Sequence, residues 1–289
     1  LGNPSLNFFG GAGLAYRDRS TEKVQAVRGS PNSRLTKRLS FSLMDVIAIF
    51  GPTGVGKTGV AVALAEELRR RGEDPVAISC DALQVYEGLS VLTGVATAAE
   101  REKLEHRLVG FVPITELFNV GNYMPLAHAE IDAALAVGRR PIVVGGTGLY
   151  LRAALAELSL VKAEPEAEDS ELWSPDTRHP TMIFGLDMDR AKLYERIDAR
   201  TEAIVAAGAR EEVLRADEAV PSRTARKALG FDEVLAGDIE RMKQRSRNYA
   251  RRQLTWMRKI PNLCRIDRTD RSDVDVAAEI ATAAATPTR

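Results

Sequence analysis

The sequence predicts an α/β fold, a parallel sheet with helices on both faces, and two observations carry that expectation. From residue 44 onward, short apolar runs alternate with longer stretches of helical periodicity, the pattern of strands joined by crossover helices. The first of these runs, Val46-Ile47-Ala48-Ile49-Phe50, leads directly into Gly51-Pro52-Thr53-Gly54-Val55-Gly56-Lys57-Thr58, and an Ala/Leu/Val-rich helical stretch follows. That is strand, glycine-rich loop and helix, with the G-x-x-x-x-G-K-[ST] spacing of a phosphate-binding loop. The expected architecture is therefore P-loop NTPase-like, with a helix-rich C-terminal part.

The elements follow in order from local composition. Strands are expected at 46–50, 75–80, 108–112, 141–145 and 182–186, each a short apolar run bounded by turn-forming residues. Helices are expected at 59–71, 124–137, 149–156 and 189–216, with another long one from about 238 to 259. Residues 161–180 hold Lys162-Ala163-Glu164-Pro165-Glu166-Ala167-Glu168-Asp169, an acidic, proline-containing stretch expected to form a loop. Residues 1–43 are rich in Gly, Ser, Asn and Arg, and their basic residues face only Asp18 and Glu22. Such a segment is either an acid-poor leader or an upstream extension ahead of a start at Met44, and in both cases disorder is expected.

Bulk properties suit a soluble enzyme of one large domain or two small ones. The 289 residues are 45% hydrophobic, and 40 Lys plus Arg balance 40 Asp plus Glu, so net charge predicts no polyanionic partner and any such contact must come from local clustering. Cys80, Cys264 and three scattered histidines have no metal-ligand spacing, which excludes a Cys/His zinc framework and points to a reducing, cytoplasmic setting. No apolar run approaches the length of a membrane span.

Several constellations carry chemistry. Gly51, Gly54 and Gly56 let the backbone of the loop approach an anion closely, and its N–H groups with the following helix N-terminus supply donors. Pro52, Thr53 and Val55 complete the loop; Lys57 adds a point charge, and the Thr58 hydroxyl is placed to hold Mg²⁺. Asp81 ends the second strand, where it faces the crevice at the carboxyl edge of the sheet. It is a candidate general base or outer Mg²⁺ ligand, or else the cap of a turn. Gly145-Gly146-Thr147-Gly148 is a second strand–glycine turn–helix junction, and two such turns at one sheet edge suggest a shared anion pocket. Arg196 and Arg200 share a helix face and could clamp a diphosphate or form surface ion pairs. Finally, Arg241, Arg245, Asn248, Arg252, Thr255 and Lys259 form a mostly basic helical stripe beside an apolar one of Met242, Tyr249, Trp256 and Ile260. Arg247, Arg251 and Arg258 widen the basic face, and no acid lies between 241 and 259. The face is either a footprint for nucleic-acid phosphates or a solvated surface.

Taken together, these motifs resemble the tRNA dimethylallyltransferase family over most of residues 44–259. The residues that carry the resemblance are 51–58, Asp81-Ala82-Leu83-Gln84-Val85-Tyr86, Val144-Gly145-Gly146-Thr147-Gly148-Leu149-Tyr150, 196–200, Lys227-Ala228-Leu229-Gly230-Phe231 and Asn248-Tyr249-Ala250-Arg251-Arg252-Gln253-Leu254-Thr255-Trp256. The resemblance implies that the loop grips the diphosphate of dimethylallyl diphosphate, with the prenyl group passing to the exocyclic amine of the adenosine 3′ of the anticodon. It implies Asp81 as base and Thr147 beside the bridging oxygen, with Lys57, Arg200 and Mg²⁺ at Thr58 stabilising the leaving group. It also implies tRNA contacts from Asp81, Ala82, Leu83, Gln84, Thr147, Lys227, Gly230, Phe231, Arg251, Arg252, Gln253, Trp256 and Arg258. A monomeric enzyme with no membrane partner is expected. The chain departs from the family pattern in two places. Ala82 stands where serine is usual, and 161–180 is a short loop where the family has a helical insertion that grips the anticodon stem-loop. Residues 44–289 would then be the transferase core. A prenyltransferase acting on free adenine nucleotides, a small-molecule P-loop kinase and a non-catalytic remnant that lost activity with its insertion are the competing readings.

Overall fold

The computed structural model describes residues 45–159 and 172–285. The expected extension at 1–43, and most of the acidic stretch, lie outside the described residues. The described part is built on a six-stranded, all-parallel sheet in the order β3-β2-β4-β1-β5-β6. Strands β1 (Val46–Phe50) and β2 (Pro75–Ser79) are buried at every position, as expected for strands covered on both faces. Between them runs α1 (Lys57–Arg70), followed after β2 by the short helices α2 (Ser90–Thr93) and α3 (Ala98–Lys103). Helix α3 opens on a capping box in which Thr97 and Glu100 satisfy each other's N–H groups. Strand β3 (His106–Arg107) leads to α4 (Val120–Ala136), capped by Asn119, and then to β4 (Arg140–Gly145) and α5 (Gly148–Leu155). Strand β5 (Thr181–Asp187) precedes α6 (Arg190–Ala206), α7 (Ala209–Glu218), α8 (Phe231–Ala236) and α9 (Ile239–Met257). Strand β6 (Leu263–Asp267) and α10 (Asp273–Ala285) complete the fold.

Two apolar layers, one on each face of the sheet, hold it together. Ala48, Phe50, Ile78 and Val143 pack toward α4, α5 and α8, whereas Ile47, Ile49, Ile142 and Phe184 pack toward α1 and α10. The alternation along β1 places successive side chains in opposite layers, which is the strand period at work.

Three sequence expectations need correction. Residues 108–112 are not a strand: Leu108 has φ 58°, the left-handed region, so the extended run ends at Arg107, and Val112 makes only an isolated bridge to Tyr86. The helix expected over 189–216 is two helices, broken where Gly208 adopts φ 92°. Strand β6 and helix α10 were not anticipated at all. In addition, the chain past the acidic stretch is anchored by Arg152, a fully buried side chain whose Nε donates to the Leu172 carbonyl at 2.9 Å.

Candidate active site

The sheet order explains why motifs far apart in sequence meet. Strands β2, β4 and β1 are neighbours and parallel, so their carboxyl ends deliver Asp81, the Gly145–Gly148 turn and the phosphate loop to one edge. They open on a cavity of about 860 Å³ lined by Gly56, Lys57, Thr58, Asp81 and Arg200, among others.

Within the loop, Gly54 and Gly56 take φ 81° and 90°, and Gly56 is the N-terminal cap of α1. The Lys57 ammonium donates to the carbonyls of Gly51 and Pro52, each at 2.9 Å. Burial lowers its pKa to about 8, Arg200 adds to the depression, and Asp81 opposes it. Arg200 comes from α6 and donates to the Thr93 carbonyl at 3.3 Å; burial lowers its pKa too, with Asp81 opposing. Arg196, one turn earlier, donates from Nε to the Gly54 carbonyl at 3.0 Å. The pair suggested by helical spacing therefore faces the loop rather than the acids of its own helix. Lys57, Arg196 and Arg200 thus gather near the α1 N-terminus, which is itself positive.

Asp81 both closes a turn and faces the cavity, so the two sequence readings are compatible. Its Oδ1 accepts the Leu83 N–H at 2.9 Å, and its carboxylate lines the same cavity as Lys57 and Arg200. Thr147 Oγ1 lies 3.5 Å from the Ala82 N–H and 3.5 Å from the Tyr249 hydroxyl, so it is the Ala82 backbone that meets the second glycine turn. Tyr249 is pushed up to about 12, mainly by burial and then by the Asp81 charge, and so remains a neutral hydrogen-bonding group.

The structure separates the expected RNA-contacting residues into two sets. Lys227, Arg251, Arg252 and Arg258 are exposed, and the partly buried Trp256 packs on Trp173 with ring centroids 4.9 Å apart. The Lys259 ammonium lies 5.2 Å from the Trp173 ring centroid, and Arg252 stacks 5.5 Å over Tyr249. Other side chains are committed inside the fold. Phe231 is fully buried in the core, and Gly230, its N-cap, is packed on Met242. Gln84 accepts from the Ser79 hydroxyl and donates to the carbonyls of Thr93 and Gly94. Gln253, 4% exposed, accepts the Thr53 N–H and donates to the Gly146 carbonyl, both at 2.8 Å. It thus ties the phosphate loop to the second glycine turn. Ala82 and Leu83 are half-buried, and Leu83 lines the cavity.

The basic face of α9 is also less free than its composition suggests. Arg245 pairs with the buried Glu233, Arg241 lies 3.7 Å from the same carboxylate, and Arg247 pairs with Asp198 at 2.9 Å. These acids come from other helices, so the acid-free run in the sequence did not reveal them. Sequence reasoning also missed Trp173, Arg268 and Asp273. Arg268 reaches the loop from beyond β6 and donates to the Gly56 carbonyl at 3.3 Å.

Comparison with known proteins gives the same assignment from independent data. The isopentenyl transferase model matches residues 44–113, and the IPP transferase model matches 84–175 and 166–260. A tRNA dimethylallyltransferase of Thermobifida fusca is 33% identical, over 76% of this chain and 89% of its own length. One from Rhodospirillum centenum is 34% identical over 74% and 88%. The crystal structure of a full-length tRNA isopentenylpyrophosphate transferase from Bacillus halodurans superposes with a TM-score of 0.71 at 27% identity, covering 82% of this chain and 94% of that one. A eukaryotic dimethylallyltransferase acting on tRNA shares the fold at a TM-score of 0.66. With family models spanning most of residues 44–260 and relatives of this identity and coverage, the chain belongs to the tRNA isopentenyltransferase family.

Proposed function

We propose that the protein transfers a dimethylallyl group from dimethylallyl diphosphate to the exocyclic amine of the adenosine 3′ of the anticodon in tRNA. The observation that carries this reading is the meeting of the phosphate loop, Asp81 and Arg200 at one cavity, with Thr147 beside the Ala82 N–H that follows Asp81, in a chain of this family. The amine nitrogen forms a bond to C1 of the prenyl group as the C1–O bond breaks, and the electron pair leaves with diphosphate. Asp81 takes the proton released by the nitrogen. Charge growing on the leaving group meets Lys57, Arg200 and the loop N–H groups, donors already fixed before the reaction. Thr147 orients the bridging oxygen.

The Thr58 hydroxyl lines the same cavity and is a hard oxygen donor suited to Mg²⁺. Among the described residues no group of three or more His, Cys, Asp or Glu could hold a metal unaided, so an ion at Thr58 would need its other ligands from phosphates and water. Bound there, Mg²⁺ would neutralise charge on the diphosphate.

For RNA, the exposed Lys227, Arg251, Arg252, Arg258 and Lys259 supply phosphate contacts, and Trp256 with Trp173 supplies a stacking surface. The IPP transferase model matches in two pieces that meet within 166–175, which supports a shortened insertion there and gives α9 a larger share of the RNA contact. We infer a monomer that acts in the cytoplasm, the setting expected from its lack of a Cys framework. Among the described residues, no helix is long and apolar enough to cross a membrane. Incubation with radiolabelled dimethylallyl diphosphate and either unmodified tRNA or AMP tests the reading. Label in tRNA supports it. Label in AMP alone assigns the protein to free nucleotides, and ATP-dependent phosphorylation without label transfer makes it a kinase.

A further inference from the structure

The arginine that sequence reasoning missed occupies an unusual position. Arg268 follows β6, outside every motif that carries the family resemblance, yet its guanidinium sits against the phosphate loop. The side chain is 4% exposed. Its Nη1 donates to the Gly56 carbonyl at 3.3 Å, and a Cβ on Gly56 would run into that same nitrogen. Its Nη2 pairs with Asp273 at 2.8 Å, and its Nε is buried with no hydrogen-bond partner. The Arg196 guanidinium is close enough that Arg268 contributes to lowering the Arg196 pKa, after burial.

A structural ion pair would not need this arrangement. Desolvated guanidiniums are costly, and placing Arg268 beside Arg196 at the positive end of α1 raises that cost. Among the described residues, the carboxylate paired with Arg268 is that of Asp273, the first residue of α10, whose side chain is 42% exposed and lines the cavity. A carboxylate in the wall of an anion pocket repels the anion it faces. The two oddities explain each other if Asp273 is a replaceable counter-ion.

We propose that Arg268 is an anion-binding residue of the phosphate loop and that Asp273 is its resting counter-ion, displaced toward water when a diphosphate enters. The inference rests on the diphosphate reading of the loop. Bound diphosphate takes over the guanidinium, and the half-exposed carboxylate recovers its hydration. Arg196 and Arg268 then act on the same ligand, and their mutual repulsion is relieved.

Calorimetric titration of the full chain with inorganic diphosphate tests this, because the two partners should shift affinity in opposite directions. Arg268→Gln should weaken binding about tenfold or more, since it removes a charge-assisted hydrogen bond in a dry site. Asp273→Asn should tighten binding several-fold, as it removes the competitor while keeping the side-chain shape. An ion pair with a purely structural role predicts that both variants lose thermal stability and weaken binding alike. If Arg268→Gln does not fold, Asp273→Asn still decides: weaker or unchanged binding overturns the proposal. Wild-type protein that binds no diphosphate overturns the proposal and the donor reading together. Wild-type binding with no opposite shift overturns the proposal alone.

Discussion

Gln253 is the side chain whose loss should show most clearly how the site is held together. It bridges the Thr53 N–H and the Gly146 carbonyl, both at 2.8 Å, from a position 4% exposed on α9. Gln253→Leu keeps the approximate volume but leaves both backbone groups buried and unpaired. Each such group costs about 1–3 kcal/mol, for a total of about 2–6 kcal/mol before any gain from the added apolar surface. For a chain of this size that corresponds to a fall in Tm on the order of 10 °C. Gln253→Glu separates geometry from charge: it can still accept the Thr53 N–H but cannot donate to Gly146, and it places an anion beside the diphosphate. Thermal melts and diphosphate titration should therefore rank the variants in opposite orders, with leucine worse for stability and glutamate worse for affinity. A Gln253→Leu protein with wild-type Tm and wild-type diphosphate affinity would refute the idea that this residue joins the two glycine turns.

Further expectations follow from the same geometry. Because burial holds Lys57 at about 8 against a usual 10.5, charging it in the folded protein disfavours folding. The ligand-free protein should gain stability as pH rises from about 8 toward 10.5, while diphosphate affinity falls over the same window; Lys57→Met should abolish both trends in pH-resolved melts and titrations. Asp81→Asn should keep diphosphate affinity while lowering single-turnover transfer by roughly a hundredfold or more, and near-normal turnover would leave Asp81 as a turn cap. Neutralising Arg251, Arg252, Arg258 and Lys259 together should weaken tRNA binding and flatten its log–log salt slope by about 0.7–0.9 per lost contact, as read from filter binding. Arg245→Ala should instead act on stability, by about 3 kcal/mol or more in chemical denaturation, since it strips the buried Glu233 of its close partner.

The parts of the fold that were legible in the sequence are those whose signal is local. Strands β1, β2, β4 and β5 are continuous apolar runs, and the phosphate loop announces itself by glycine spacing. Strand β6 was missed because it is an edge strand with only Ile266 fully buried, so Leu263-Cys264-Arg265-Ile266-Asp267 lacks an apolar run. Helix α10 was missed because alanine dominates it, although Val276, Ile280 and Ala284 recur at helical spacing and are buried. In the site, Asp81 and Thr147 were legible because strand ends point at one edge. Side-chain direction was not. Gln253 and Trp256 lie three residues apart in one motif, yet one is sealed between two loops and the other is partly exposed and packs on Trp173. Pairing across helices was equally hidden, which is why Arg245 and Arg247 looked free beside acids that come from α8 and α6.

The central claim is that a prenyl group passes from a diphosphate at the loop to an adenosine amine held near Asp81. The most direct test is mass spectrometry of nucleosides released from an unmodified anticodon stem-loop RNA after incubation with the protein, Mg²⁺ and dimethylallyl diphosphate. One adenosine, 3′ of the anticodon, should become heavier by one dimethylallyl group, with one diphosphate released per modification and neither product formed by the Lys57→Ala protein. An unmodified adenosine at that position, under conditions where the protein binds both substrates, would contradict it.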